Sequence, residues 1–251
     1  MKIAFCLYGQ PRYYNEGFIN IYSFLKRNNN IEVDFYYHTW IGNENQKYDI
    51  SSWAFTRQIN NEVLKIDKNI INKLNELYKP RDFCFDNVKD FDLQKYKNSI
   101  FIMHDTNEKD DKNVMSQFYS RNQVRNLLLD NIKKNNIEYK YVITSRFDFL
   151  KPITIDLNNI NPDKIYVANL HLPRKIFPDN LMILSINNYL NLFNTFENLD
   201  NILHNEEIKK KVHENGEVLL FLPEMILFVC FLYYFDDFSN VVYTNQIPDF
   251  R

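Results

Sequence analysis

The feature that most constrains the fold is a rhythm along the chain. Short apolar runs of strand character alternate with stretches whose apolar residues fall three and four apart. Residues 2–8, KIAFCLY, end in Gly-Gln-Pro, which predicts a buried strand closed by a turn. Residues 16–26 set Phe18, Ile19, Tyr22 and Leu25 on one helical face. Residues 31–40 predict a second strand. Residues 60–78 repeat Val63, Ile66, Ile70, Leu74 and Leu77, an amphipathic helix stopped by Pro80. A short strand at 81–88 follows. The polar HDTNEKDDKN at 104–113 reads as a mobile loop before a helix at 115–134 that turns Phe118, Leu127, Leu128 and Ile132 inward. Strands are predicted at 141–145, 164–168 and 240–245, and a helix at 187–196. Strands alternating with helices predict an α/β sheet with helices on both faces. No repeat or low-complexity linker interrupts the pattern.

Composition narrows the function classes. With 251 residues, 45% hydrophobic and 25% charged, the chain can bury a full core. A formal net charge of −2 gives no overall attraction to nucleic acid or an anionic membrane. The three cysteines, Cys6, Cys84 and Cys230, sit in apolar surroundings without CxxC spacing. They predict buried thiols in a reducing, cytoplasmic setting and no disulfide framework or zinc site. The apolar run before Gly9 is too short for a signal-peptide core. The long apolar stretch at 218–235 contains Pro223 and Glu224, so it predicts a buried helix opening at Pro223 with Glu224 in its first turn, not a transmembrane segment. Peripheral membrane contact stays open.

In an α/β sheet, ligands bind outside the carboxyl ends of the strands. That rule selects the turn after Tyr8, the HTW segment at 38–40 and the RFD segment at 146–148. Arg146 and Asp148 share a strand face. Either they pair with each other or with Lys151, or Asp148 gives its oxygens to a divalent cation and Arg146 faces a phosphate. Trp40 either stacks on a base or packs in the core, and His38 reads as a hydrogen-bonded structural residue. Asp179 precedes an apolar run, which reads as a helix N-cap, and Arg174 and Lys175 just before it read as solvated. The dinucleotide, P-loop, nucleophile-elbow and zincin motifs are absent.

In the segment QFYSRNQVRNLLLDNIKKNNIEYKYVITSRFDF, Arg121-Asn122 stands at a predicted helix start 27 residues before Asp148. This order resembles the GT-A nucleotide-sugar glycosyltransferases, in which an Arg-Asn, a hydrophobic strand and a DxD-type metal motif follow one another. Arg146 occupies the place of the first aspartate and Asp148 that of the last. Together with IAFCLYGQPR, VDFYYHTW and QFYS, the segment is similar to the small glycosyltransferases of large DNA viruses (the chlorella virus capsid-glycan type) and of bacterial surface-polysaccharide loci, over roughly residues 2–185.

The resemblance implies one GT-A-like domain over 1–251, with a nucleotide-binding half at about 1–150 and an acceptor-side half with C-terminal helices at about 151–251. It implies Mn²⁺ or Mg²⁺ on Asp148, and Gly9, Gln10, Arg12, Trp40, Arg121 and Arg146 around the nucleotide. Asp179 becomes the first candidate base. The implied activity is sugar transfer from a nucleoside-diphosphate donor, UDP first, to a hydroxyl of a glycan or glycoprotein. A non-catalytic nucleotide- or glycan-binding module and a metal-dependent nucleotidyltransferase remain as alternatives.

Overall fold

The computed structural model describes residues 1–42, 69–96, 99, 101–102, 108–170, 177–213 and 219–248. Seven strands form one mixed sheet. Their ranges are β1 Lys2–Gly9, β2 Glu32–Ile41, β3 Asp82–Asn87, β5 Tyr141–Arg146, β6 Ile165–Ala168, β7 Leu181–Leu184 and β9 Val241–Thr244. Two short strands, β4 (Phe101–Ile102) and β8 (Leu219–Leu220), pair in parallel apart from it. The order across the main sheet is β3-β2-β1-β5-β7-β6-β9. β7 runs antiparallel to both of its neighbours, and every other pairing is parallel.

Seven helices complete the described chain: α1 Tyr14–Arg27, α2 Asn69–Tyr78, α3 Glu108–Asn135, α4 Ile186–Leu192, α5 Thr195–Leu203, α6 Glu206–His213 and α7 Pro223–Phe235. The pleat of β1 divides its side chains between two cores. Ile3, Phe5 and Leu7 join Ile21 and Phe24 of α1 and Leu74 of α2. Ala4, Cys6 and Tyr8 join Phe118 and Val124 of α3 and the apolar face of α7. The sheet is thus covered on both sides, as the alternation of elements predicts.

α7 is apolar around most of its circumference, with Met225 to Phe231 all buried, as befits a helix packed inside a protein. Pro223 stands in its first turn, where its missing N–H costs nothing. Among the described residues no helix is long and apolar enough to cross a membrane.

Four expectations need correction. The polar 104–113 stretch is not all loop, because α3 already runs from Glu108. Asp111 in its first turn favours a helix N-terminus. Arg121 therefore lies mid-helix and not at a start. The LMIL run is a strand, β7, and the single helix expected over 187–196 is two, α4 and α5, divided near Asn194. The first part of the helix expected over 60–78 lies outside the described residues.

The sheet order locates a crevice. From β1 the chain winds outward through β2 to β3, then returns through α3 to β5 on the other side of β1. The order reverses between β1 and β5, and such a switch point opens a cleft beyond the carboxyl ends of the two strands.

Candidate active site

Both strands at the switch point end in conformations that their residues dictate. β1 ends at Gly9, whose φ of +93° suits glycine and strains any other residue. A Cβ there would meet nothing within 4 Å, so the need for glycine is purely conformational. Its N–H donates to Ser120 Oγ at 2.8 Å, and its carbonyl accepts from Thr39 Oγ1 at 3.0 Å. Both peptide groups are thus spoken for by protein. Tyr13, at φ +47°, turns the chain into α1, and Arg12 lies on the bend between.

β5 ends at Arg146 and enters a turn at Phe147 and Asp148. Phe147 and Phe149 are both buried in the core beneath α1 and α2, so they pin the turn from either side of Asp148. Gly17 of α1 closes the clamp. A Cβ at that position would lie 1.8 Å from the Phe147 carbonyl oxygen, so only glycine lets the helix approach so closely. Sequence reading passed over Gly17, although a glycine inside an amphipathic pattern signals a packing reason.

On this pinned turn, Arg146 grips Asp148 with two parallel hydrogen bonds, Nε to Oδ1 at 2.8 Å and an Nη to Oδ2 at 2.6 Å. Arg12 approaches the same Oδ2 at 3.5 Å from the β1 side. The side chains of Arg12, Arg146 and Asp148 are 17%, 24% and 9% exposed, so solvent reaches the two arginine side chains more than the carboxylate they hold. Burial pushes the Asp148 carboxyl up, but Arg146 and then Arg12 outweigh it and hold it below the usual carboxylate range. Burial likewise works against the Arg146 charge. Asp148 and then Asp179 overcome it, so the guanidinium is held more firmly than usual.

Asp179 reaches this edge because β7 is antiparallel. Leu181 pairs with Ser145, so the start of β7 lies beside the end of β5. This placement excludes a helix N-cap role, since a strand follows. The Asp179 carboxylate accepts from Gln117 Nε2 at 2.7 Å, and its backbone carbonyl accepts from Tyr8 Oη at 2.5 Å and from an Arg121 Nη at 2.7 Å. Arg121 itself is 1% exposed. Its guanidinium lies 4.6 Å from the Tyr8 ring centre, with Phe118 and Phe193 behind it. It also lies 3.8 Å from Asp179 Oδ2.

Arg121 therefore sits a layer beneath the expected diphosphate, holding Tyr8 and Asp179 in place. Its neighbour Asn122 bonds Glu197 of α5 at 3.1 Å, so the Arg-Asn pair serves the interior.

Trp40 is buried against His38 and Tyr119, the packing role of the two considered. His38 bonds Ser120 Oγ at 2.6 Å and Asp86 at 3.2 Å. Burial lowers its pKa to about 4, against the pull of Asp86, so the ring is neutral near pH 7. Glu224 follows Pro223 in the first turn of α7. Arg174 and Lys175 lie outside the described residues. Gln10 lies on the bend after Gly9, where its carbonyl accepts from the Arg12 N–H at 2.9 Å.

A divalent cation on Asp148 does not fit this donor set. Mg²⁺ and Mn²⁺ take oxygen ligands, yet both oxygens of Asp148 already accept from guanidinium groups, which offer no lone pair of their own. Among the described residues no group of three or more His, Cys, Asp and Glu side chains is arranged to hold a metal ion. Two cavities of about 320 and 280 Å³ lie elsewhere, one lined by Tyr14, Lys73 and Glu76 and the other by Arg27, Asn28 and Asp156.

No family model matches the chain, and no curated protein matches it either. Among solved structures it is similar to an active-site mutant of LgtC, with a TM-score of 0.41 and 11% identity over 97% of this chain and 72% of that one. It is also similar to the galactosyltransferase LgtC in complex with donor and acceptor sugar analogues, with a TM-score of 0.40 and 11% identity over 97% and 73%. Overlaps this loose say nothing of activity, which has to be read from the chain's own residues.

Proposed function

We propose that the chain is a glycosyltransferase of GT-A type that moves a sugar from a nucleoside-diphosphate donor to a hydroxyl of a glycan. The single observation behind this is convergence at the β1/β5 switch point. A cationic pair, Arg12 and Arg146, and a separate carboxylate, Asp179, arrive there from three different strand ends. The resemblance of the RFD segment and its surroundings to nucleotide-sugar enzymes supplies the donor class, with a UDP-sugar the first to test. It also supplies the viral or bacterial-locus setting.

Glycosyl transfer makes two demands. As the bond between the anomeric carbon and the diphosphate oxygen breaks, the oxygen leaves with the electron pair, and fixed positive groups stabilise the growing charge. The acceptor oxygen bonds to the anomeric carbon and gives up its proton. In an inverting transfer Asp179 takes that proton, oriented by Gln117 through its carboxylate and by Tyr8 and Arg121 through its backbone. The division of labour follows from position. Arg12 and Arg146 face the leaving group, and Asp179, one strand further along, faces the acceptor.

The test is a panel of UDP-, GDP- and dTDP-sugars incubated with the protein, assayed for release of nucleoside diphosphate with slow donor hydrolysis or transfer. Turnover of at least one donor is expected. Release of pyrophosphate instead would indicate a nucleotidyltransferase, and silence across all three nucleotide classes would remove the proposal.

A further inference from the structure

Asp148 is the residue a metal would need, and the structure commits it to something else. Both of its oxygens are held by the Arg146 fork, and Arg12 closes on Oδ2 from the neighbouring strand end. The turn that carries it is anchored by Phe147 and Phe149 and clamped at Gly17. A divalent ion at Asp148 would have to displace a bidentate charge-assisted pair and then sit against two guanidinium groups of its own sign, and both steps are unfavourable.

A diphosphate meets the opposite situation. Guanidinium groups carry a fixed positive charge and present donors in a planar fork that matches phosphate oxygens. Arg12 and Arg146 come from the ends of adjacent parallel strands, so they flank the crevice where the switch-point rule places a nucleotide.

We infer that this site binds the diphosphate of its donor without a divalent metal, through Arg12 and Arg146, and that Asp148 is a positioning residue that fixes the two guanidinium groups. The inference rests on the donor reading above for the identity of the ligand, but not for the anion chemistry. Asp148 acts through the arginines, so removing its charge while keeping its shape raises the cationic character of the site. A metal ligand would behave in the contrary way, because loss of the carboxylate would abolish binding.

The experiment is calorimetry with inorganic pyrophosphate and with UDP, each in EDTA and in Mn²⁺, on the native protein, Asp148→Asn, Arg12→Ala and Arg146→Ala. Thermal melts confirm that each variant is folded. Affinity within about twofold in the two buffers is expected. Each arginine variant should lose about tenfold or more, the scale of one charge-assisted phosphate contact. Asp148→Asn should bind pyrophosphate about threefold or more tightly, from the gained net charge. Should Asp148→Asn not stay folded, Asp148→Glu and the native protein's insensitivity to EDTA carry the test.

Binding that needs Mn²⁺ and disappears in Asp148→Asn would overturn the inference, as would no binding of either anion in either buffer. The two proposals fail separately. Metal-free anion binding through the arginines with no sugar nucleotide consumed would leave this site standing and remove glycosyl transfer. Turnover seen only with metal would do the reverse.

Discussion

Two polar clusters lie at the same edge of the sheet, with β1 between them, and they are built to opposite ends. At the end of β2, His38, Ser120, Asp86 and Tyr119 form a chain of hydrogen bonds that runs inward to the Gly9 N–H. His38 and Ser120 are wholly buried, and the serine oxygen is committed to both the histidine and the glycine. By residue type the group is a Ser-His-Asp set, yet the serine has no access to a substrate. At the end of β5, two arginines keep part of their side chains at the surface beside a nearly buried aspartate.

Both places hold charged and polar side chains. What separates them is burial: the β2 network closes on a fully buried His38 and Ser120, while the β5 arginines keep part of their side chains at the surface. A buried network that is fully satisfied rigidifies its surroundings, and here it braces the strained Gly9 end of β1 for the cluster next door.

The largest effect is expected at Asp179, beside the open end at the start of β7. Asp179→Asn should lower turnover by roughly 10² to 10⁴, the usual contribution of a general base, while a melt shows the fold retained. Steady-state kinetics on the donor found by screening would read this, and an unchanged rate would move Asp179 out of the chemistry.

Next in size is the clamp beneath the RFD turn. Gly17→Ala forces a methyl group against the Phe147 carbonyl and should cost about 3 kcal/mol of stability, the upper range for overpacking, as measured by chemical denaturation. A near-neutral result would mean the turn can shift, and the rigid placement of Asp148 would be lost with it.

The closed end should respond to pH instead of substrate. The folded His38 has a pKa of about 4, below the ordinary value of about 6.5. The unfolded chain therefore takes up the proton first as pH falls. The neutral ring's contribution is complete above about pH 6.5 and is lost progressively toward pH 4, amounting to roughly 3 kcal/mol. His38→Gln should flatten that part of the stability profile. A profile identical to the native one would show that His38 is not buried neutral.

Smallest is Gly9→Ala. The added methyl meets nothing, so only backbone strain remains, about 1 to 2 kcal/mol. A loss of turnover far beyond that of stability would show that the β1 turn touches the nucleotide directly.

Much of this was legible in the sequence, and the failures have physical causes. The long strands and the helices α2 and α3 were readable because burial imposes a period on them, but α1 buries Gly17, Ile21 and Phe24 and leaves Ile19 and Tyr22 of the expected face exposed. The crevice was readable because the carboxyl edge follows from strand direction alone, and so Arg12, Arg146 and Asp148 stand out without any knowledge of their contacts. β7 was missed because four apolar residues carry no period that distinguishes a strand from a helical turn. Asp179 was therefore found as a residue but weighed against an N-cap role that the strand excludes.

From sequence Arg121 reads as a phosphate ligand, because charged side chains are seldom fully buried. Tyr8, Phe118 and Phe193 make an aromatic cage that only tertiary structure assembles. The RFD segment was readable as a site, but its internal pairing was not. Strand alternation puts Arg146 and Asp148 on one face, and only the turn at Phe147 shows the fork closing between them.

The most direct measurement is a crystal structure of the protein with UDP bound, collected from crystals grown in EDTA and again in Mn²⁺. In both, the diphosphate is expected beyond the ends of β1 and β5, within hydrogen-bond distance of Arg12 and Arg146, with Asp148 still gripped by Arg146. A diphosphate bound elsewhere on the sheet, or one held through Mn²⁺ on an Asp148 released from Arg146, would contradict it.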